Sequence, residues 1–201
     1  YPERMSLDEF SRFGISNGEK LVKVHDVWWS QVRPFFYRTV FPFRVCEPGS
    51  ILPPRLAYFG GYQYPVNGSE PSNSCLNYIV FDDVRNYSAD ALSYNVRWSI
   101  KKAKKTAYVK KILDLRELQE EGHKVYVSFY NRTGYAFNKK RLRKRYFDEW
   151  AANLFRNEKI VLLGAYVNDA LVAMATMALV EDVAVWMSSV LHTDFLKHNI
   201  S

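Results

Sequence analysis

The spacing of apolar residues changes period along the chain, and the changes predict its elements. Residues 8–15 read as a short helix. Residues 21–32 and 35–46, rich in Val, Phe, Tyr and Trp, read as strands punctuated by Pro34 and Pro42. Residues 47–54, with Pro48, Gly49, Pro53 and Pro54, form a loop. Residues 55–66 read as a third extended piece, broken at Gly60-Gly61, and 76–81 as a further strand. The period then becomes helical. Leu92, Val96, Ile100, Ala103 and Ala107 share one face, with Ser88 placed to cap and Asp90 in the first turn. Asp114 and Glu117 resemble a capping box, so a second helix is expected near Leu115. Residues 125–130 fit a strand or a helix, with helix preferred. Leu142, Tyr146, Trp150 and Leu154 predict a third helix that Asn138 could cap. Residues 159–167, 170–180 and 183–191 predict an antiparallel meander, turning at Asn168-Asp169 and at Glu181-Asp182. Strands, helices and a meander in that order give an α+β fold.

Composition adds constraints. The chain has 201 residues, 48% hydrophobic, enough for one large domain or two small ones. No apolar run approaches the roughly 18 residues of a membrane helix, and the N-terminus lacks a signal pattern. Cys46 and Cys75 have no metal-ligand spacing and fit a reduced cytoplasm. The four His make no zinc pattern. The net charge of +7 is focused: 97–111 holds seven basic residues and no acid, and 139–145 holds six and no acid. Either run reads as a solvated face or as a site for an anionic partner: a nucleotide, a lipid-linked phosphate, tRNA or CoA. In 139–145 the cations open a predicted helix, where they oppose its dipole, which favours the partner. Phosphate-loop, nucleophile-elbow, dinucleotide and zincin motifs are absent, which removes those enzyme classes.

Two segments resemble a known family. The hairpin of residues 161–173, Val-Leu-Leu-Gly-Ala-Tyr-Val-Asn-Asp-Ala-Leu-Val-Ala, resembles the central hairpin of the GNAT acyltransferase superfamily. Residues 95–103, Asn-Val-Arg-Trp-Ser-Ile-Lys-Lys-Ala, resemble the R-x-x-I-(R/K)-K-A helix of its Fem-type (FemAB-like) branch. Those enzymes attach amino acids from aminoacyl-tRNA to cell-wall precursors. Tyr130-Asn131-Arg132-Thr133 and 146–150 sit where that branch has its next two helices. The resemblance covers roughly residues 87–195. It implies a GNAT-like, largely antiparallel mixed sheet flanked by helices. Residues 1–86 would be a strand-rich part of the same fold, and 87–201 the helices and meander. It implies transfer of an acyl or aminoacyl group to an amine, from acyl-CoA or aminoacyl-tRNA, with no tightly bound cofactor and no metal. The family's Gly-rich pyrophosphate loop, which holds phosphate on helix N-terminal N–H groups, should follow residue 191. No glycine occurs after Gly164. This departure favours the Fem-type branch over a CoA enzyme and implies a further helix and strand beyond Ser201.

Candidate site residues follow. Arg97, Lys101, Lys104, Lys105, Arg141 and Arg145 are candidates for phosphate. By the resemblance, Arg132 and Tyr135 lie near the acceptor. In GNAT enzymes a bulge in the strand matching 183–190 offers N–H groups to the acyl carbonyl, and Ser188 with Ser189 are the expected disturbance. Glu181, Asp182 and His192 flank that strand as candidate general bases. Two other readings stand beside this one. The first is an acetyl-CoA-dependent N-acetyltransferase of a small molecule or peptide. The second is a non-catalytic RNA-binding module, suggested by basic runs interleaved with Tyr and Trp.

Overall fold

A computed structural model describes residues 3–68, 70–83 and 86–198. The chain divides into two compact units, Met5–Val80 and Phe81–Ser201, with Tyr1–Arg4 belonging to the latter.

After β1 (Arg4–Met5), the first unit opens with α1 (Leu7–Ser16). The Ser6 hydroxyl accepts from the Glu9 N–H at 3.2 Å, and the Glu9 carboxylate accepts from the Ser6 N–H at 2.7 Å. This capping box starts the helix. The expected strand over 21–32 is a hairpin: β2 (Leu21–Val24) turns at His25, in the left-handed region, into β3 (Val27–Arg33). β4 (Phe36–Thr39) follows antiparallel. The extended piece expected over 55–66 is instead a helical turn, α2 (Ala57–Gly60), begun by the Ala57 N–H donating to the Pro54 carbonyl at 2.8 Å. It leads to β5 (Tyr62–Gln63), which pairs parallel to β4. The strands of this unit form a sheet of their own, ordered β2-β3-β4-β5. Trp29, Tyr37, Ile51 and Ala57 form its core, with Val24, Val27, Cys46 and Tyr64 packed around them. The strand expected over 76–81 does not form. Leu76, Tyr78, Ile79, Val80 and Phe81 are all exposed, and an apolar run without a neighbouring strand has no ladder to join.

In the second unit, Ser88 caps a 3-10 turn, Ala89–Ala91, rather than a helix. Helix α3 (Tyr94–Ala103) starts later than expected and buries none of its residues. An unexpected strand, β6 (Tyr108–Lys111), pairs antiparallel to β7 (Ile160–Val167), from Tyr108↔Tyr166 to Lys111↔Leu163. Asp114 caps α4 (Leu115–Glu117), which runs through a π-turn, Leu118–Gly122, into α5 (His123–Thr133). The ambiguous stretch 125–130 is therefore helical. Asn138 caps a 3-10 turn, Lys139–Leu142, and α6 (Lys144–Phe155) follows, burying Phe147, Trp150, Ala151 and Leu154. β7, β8 (Ala170–Val180) and β9 (Val183–Leu191) form the meander. Its first turn uses Asn168 and Asp169 at φ 49° and 62°, as the two-residue turn requires. The sheet has five strands in the order β1-β8-β7-β6, with β9 along β8. Gly164 is a packing requirement: a Cβ there would stand 2.7 Å from Leu171 Cδ1 and 2.8 Å from the Tyr166 ring. The result is an α+β fold whose larger sheet is antiparallel wherever its register is defined and is flanked by helices.

Candidate active site

Helix α5 presents two adjacent rows at i, i+4 spacing: His123, Val127 and Asn131, then Lys124, Ser128 and Arg132. With His192 and Thr193, just past β9, these residues line an open cleft of about 690 Å³. Hydrogen bonds pin its two walls. The Thr193 N–H donates to Ser128 Oγ at 3.0 Å, and Thr193 Oγ1 donates to the Ser128 carbonyl at 3.1 Å. The His192 N–H extends the ladder by donating to the Val172 carbonyl at 2.8 Å. His192 Nδ1 accepts from the Asp194 N–H at 3.4 Å, and its ring packs on Phe195. His123 Nε2 lies 3.1 Å from the Leu142 carbonyl and its ring packs on Phe147, so that imidazole is held in place. The titratable groups lining the cleft are His123, Lys124, Arg132 and His192, and the Asp194 carboxylate stands 3.8 Å from His192 Nδ1. Lys124 Nζ is 2.8 Å from Glu121 Oε1, and Arg132 lies over the Phe129 ring. Beside the cleft, Phe129, Tyr135 and Phe137 form a ring cluster, with Tyr135 and Phe137 at 5.2 Å.

A second feature lies along β9. Its register against β8 runs Thr176↔Ser188, then Met177↔Trp186, which leaves Met187 as the extra residue of a bulge. A bulge takes its extra residue out of the ladder. Ser188, next to it, is not a free hydroxyl: its Oγ sits 2.7 Å from Oγ1 of buried Thr176. Among the described residues β9 pairs only with β8, so its other edge is open.

The structure brings together His192 and Arg132, with Tyr135 nearby. It separates the others. Glu181 sits in the β8–β9 turn at φ 53°, at the opposite end of β9 from His192. Nine strand residues set those two candidate bases roughly 30 Å apart. Met187 and His192 are five residues apart, about 16 Å at strand rise. Arg97 and Lys101 stand exposed on α3, and Lys104 and Lys105 just past it; Arg97 Nη1 donates to the Asp90 carbonyl at 3.1 Å. Two of the six cations of the second basic run, Lys144 and Arg145, are paired from within the protein. Lys144 Nζ reaches Asp148 at 2.7 Å and Glu120 at 3.2 Å, and Arg145 reaches Glu149 at 3.1 Å. The Asp148 hydrogen bond pushes the Lys144 pKa above its usual value. Arg141 lies 4.7 Å over the Trp150 ring. These contacts offset the dipole cost at Lys144 and Arg145, the two cations that open α6. Sequence spacing did not single out His123, Lys124, Ser128, Asn131, Thr193 or Met187. The i, i+4 rows on α5 were the available signal.

Among the described residues no three His, Cys, Asp or Glu gather where they could hold a metal, and no helix is long and apolar enough to cross a membrane. Neither a protein-family profile nor a curated protein sequence matches the chain. Two of the solved structures similar to part of it are acetyltransferases. One is the PaiA N-acetyltransferase from Thermoplasma acidophilum in complex with coenzyme A, at 18% identity and TM-score 0.37 over 47% of this chain. The other is a GNAT family acetyltransferase from Staphylococcus aureus subsp. aureus USA300_TCH1516, at 15% identity and TM-score 0.33 over 46% of this chain. The chain spans 64% of the length of the first and 67% of the second.

Proposed function

We propose that the chain is a GNAT-type acyltransferase that moves an acyl group from an acyl-CoA-type thioester to an amine. The observation that carries this reading is the open edge of β9, bulged at Met187 and leading into a cleft lined by His123, Lys124, Arg132 and His192. A donor lying along that edge would place its carbonyl at the bulge. Its phosphates would lie about 16 Å further on, among Lys124, Arg132, His123 and His192. The Met187 N–H would hold the developing oxyanion. The bond from Ser188 to Thr176 would fix the strand beside it. The amine nitrogen attacks the carbonyl carbon, the C–N bond forms, the C–S bond breaks, and the thiolate leaves. The amine proton passes to water or to the thiolate. On this reading His192 serves the anion rather than the proton, and Glu181 lies outside the site.

A second donor has its own support. Arg97, Lys101, Lys104 and Lys105 have no ion-pair partner among the described residues, and their segment carries the resemblance to Fem-type enzymes. Aminoacyl-tRNA is the donor that would engage them. The test is an assay of both donors against a panel of amines: thiol release from acetyl-CoA, and amino-acid transfer from aminoacyl-tRNA, with products identified by mass spectrometry. An N-acylated product from acetyl-CoA supports the first reading, and transfer from tRNA alone supports the second. No transfer from either overturns acyl transfer.

A further inference from the structure

The first unit carries a separate feature that the acyltransferase reading leaves unused. The turn between β3 and β4 holds Phe35 at φ 61°, in the left-handed region. That conformation is costly for a bulky side chain, and the ring is not buried in return: it is 48% exposed. The end of α2 is pressed against this turn. A Cβ on Gly60 would stand 2.6 Å from the Phe35 carbonyl oxygen, so only glycine permits the approach. The approach sets Phe59, 81% exposed, edge-on to Phe35 at 6.3 Å. Tyr58 extends the ring surface to Tyr62 at 6.4 Å, and Tyr62 stacks on Tyr64 at 6.0 Å. Exposed rings scattered singly need no explanation, but two ring groups, Phe35 with Phe59 and Tyr58 with Tyr62 and Tyr64, that meet at adjacent residues of α2 beside a strained turn and a glycine contact mark a binding surface.

Charge selects the partner. Residues 28–64 contain four arginines, Arg33, Arg38, Arg44 and Arg55, against one acid, Glu47. The Arg33 guanidinium lies 4.8 Å over the Phe36 ring, beside the turn, and Arg55 is three residues before Tyr58. Rings interleaved with cations suit a flexible polymer that carries one planar ring and one negative charge per unit. We propose that this surface binds single-stranded nucleic acid, stacking bases on Phe35, Tyr58 and Phe59 while Arg33 and Arg55 face phosphates. A duplex hides its ring faces and cannot use this surface. An anionic lipid surface would use the charge but has no rings to stack.

The test uses the full chain and fluorescence anisotropy with labelled oligo(dT) and oligo(U) of about 15 nucleotides. Matched duplexes and vesicles of phosphatidylserine and phosphatidylcholine are run in parallel. The single strands bind, more weakly as salt rises, and bind tighter than the duplexes. Tyr58→Ala/Phe59→Ala weakens the affinity by about ten-fold or more, because two bases lose the rings they stack on. Both side chains are exposed, so the fold survives, and circular dichroism checks this. Tyr94→Ala, which removes a single 72% exposed ring on α3, leaves single-strand affinity within about two-fold, because that ring is not part of the surface. Unchanged affinity in the aromatic double variant overturns the proposal, as does an equal loss in Tyr94→Ala. Vesicle or duplex binding as tight as that of the single strand overturns it too.

Discussion

The two basic runs, residues 97–111 and 139–145, look alike in sequence and behave differently in the fold. Both are dense in cations and free of acids. In the second, Lys144 and Arg145 find Asp148, Glu149 and Glu120, and Arg141 covers Trp150. In the first, Arg97, Lys101, Lys104 and Lys105 find no carboxylate among the described residues, on a helix that buries nothing. The difference lies outside the runs. Acids one helical turn downstream, or on a preceding turn of the chain, pair two cations of a run that contains no acid. A local charge count therefore overstates the unpaired charge at 139–145 more than at 97–111.

The contrast is sharpest in the helices that carry the runs. Phe147, fully buried on α6, is expected to cost about 3–5 kcal/mol on replacement by Ala. Trp98→Ala on α3 should change stability by less than about 0.5 kcal/mol. Denaturant titration of both variants checks this, and equal losses would erase the contrast. Charge comes next. Lys101→Gln/Lys105→Gln should lower affinity for inorganic polyphosphate and reduce the slope of log affinity against log salt by about 1–2, whereas Arg145→Gln should change it little. Lys144→Gln breaks two half-exposed ion pairs and should cost at most about 1 kcal/mol.

The smallest effects appear in pH profiles of stability. The Lys144 pKa is raised in the folded state by the Asp148 hydrogen bond. Its contribution is therefore present below the ordinary lysine value and fades as pH rises through the raised one. Asp8 has the opposite sign. Hydrogen bonds from Lys23 and Trp28 hold its pKa below the ordinary 3.8. Its contribution is present at neutral pH and is lost as pH falls through the lowered value. Stability curves of Lys144→Gln and Asp8→Asn against the parent should converge at alkaline and at acid pH respectively.

Some of this was legible in sequence for local reasons. Alternation and Asn168-Asp169 announced the meander, and Asp114 and Asn138 announced helical starts at their own positions. β6 was illegible because Tyr108–Lys111 is exposed throughout and owes its place to backbone pairing with β7. Residues 76–81 were misread for the converse reason, since apolar content without a neighbouring strand makes no ladder. At the site, His192 and Arg132 stood out by their place in the chain. Ser128 did not, because its contact with Thr193 joins residues 65 apart and exists only once α5 packs on β9. The bulge was expected near Ser188, but its extra residue is Met187, whose side chain gives no sign of a backbone role.

The reaction is assigned above all to the backbone at Met187, so the decisive comparison is the steady-state kinetics of the parent and Met187→Pro. Proline removes that N–H and is tolerated on an edge strand or at a bulge. With the fold verified by circular dichroism, kcat for acyl transfer should fall by about 10²–10³-fold with little change in KM. An unchanged kcat would show that the acyl carbonyl reacts elsewhere.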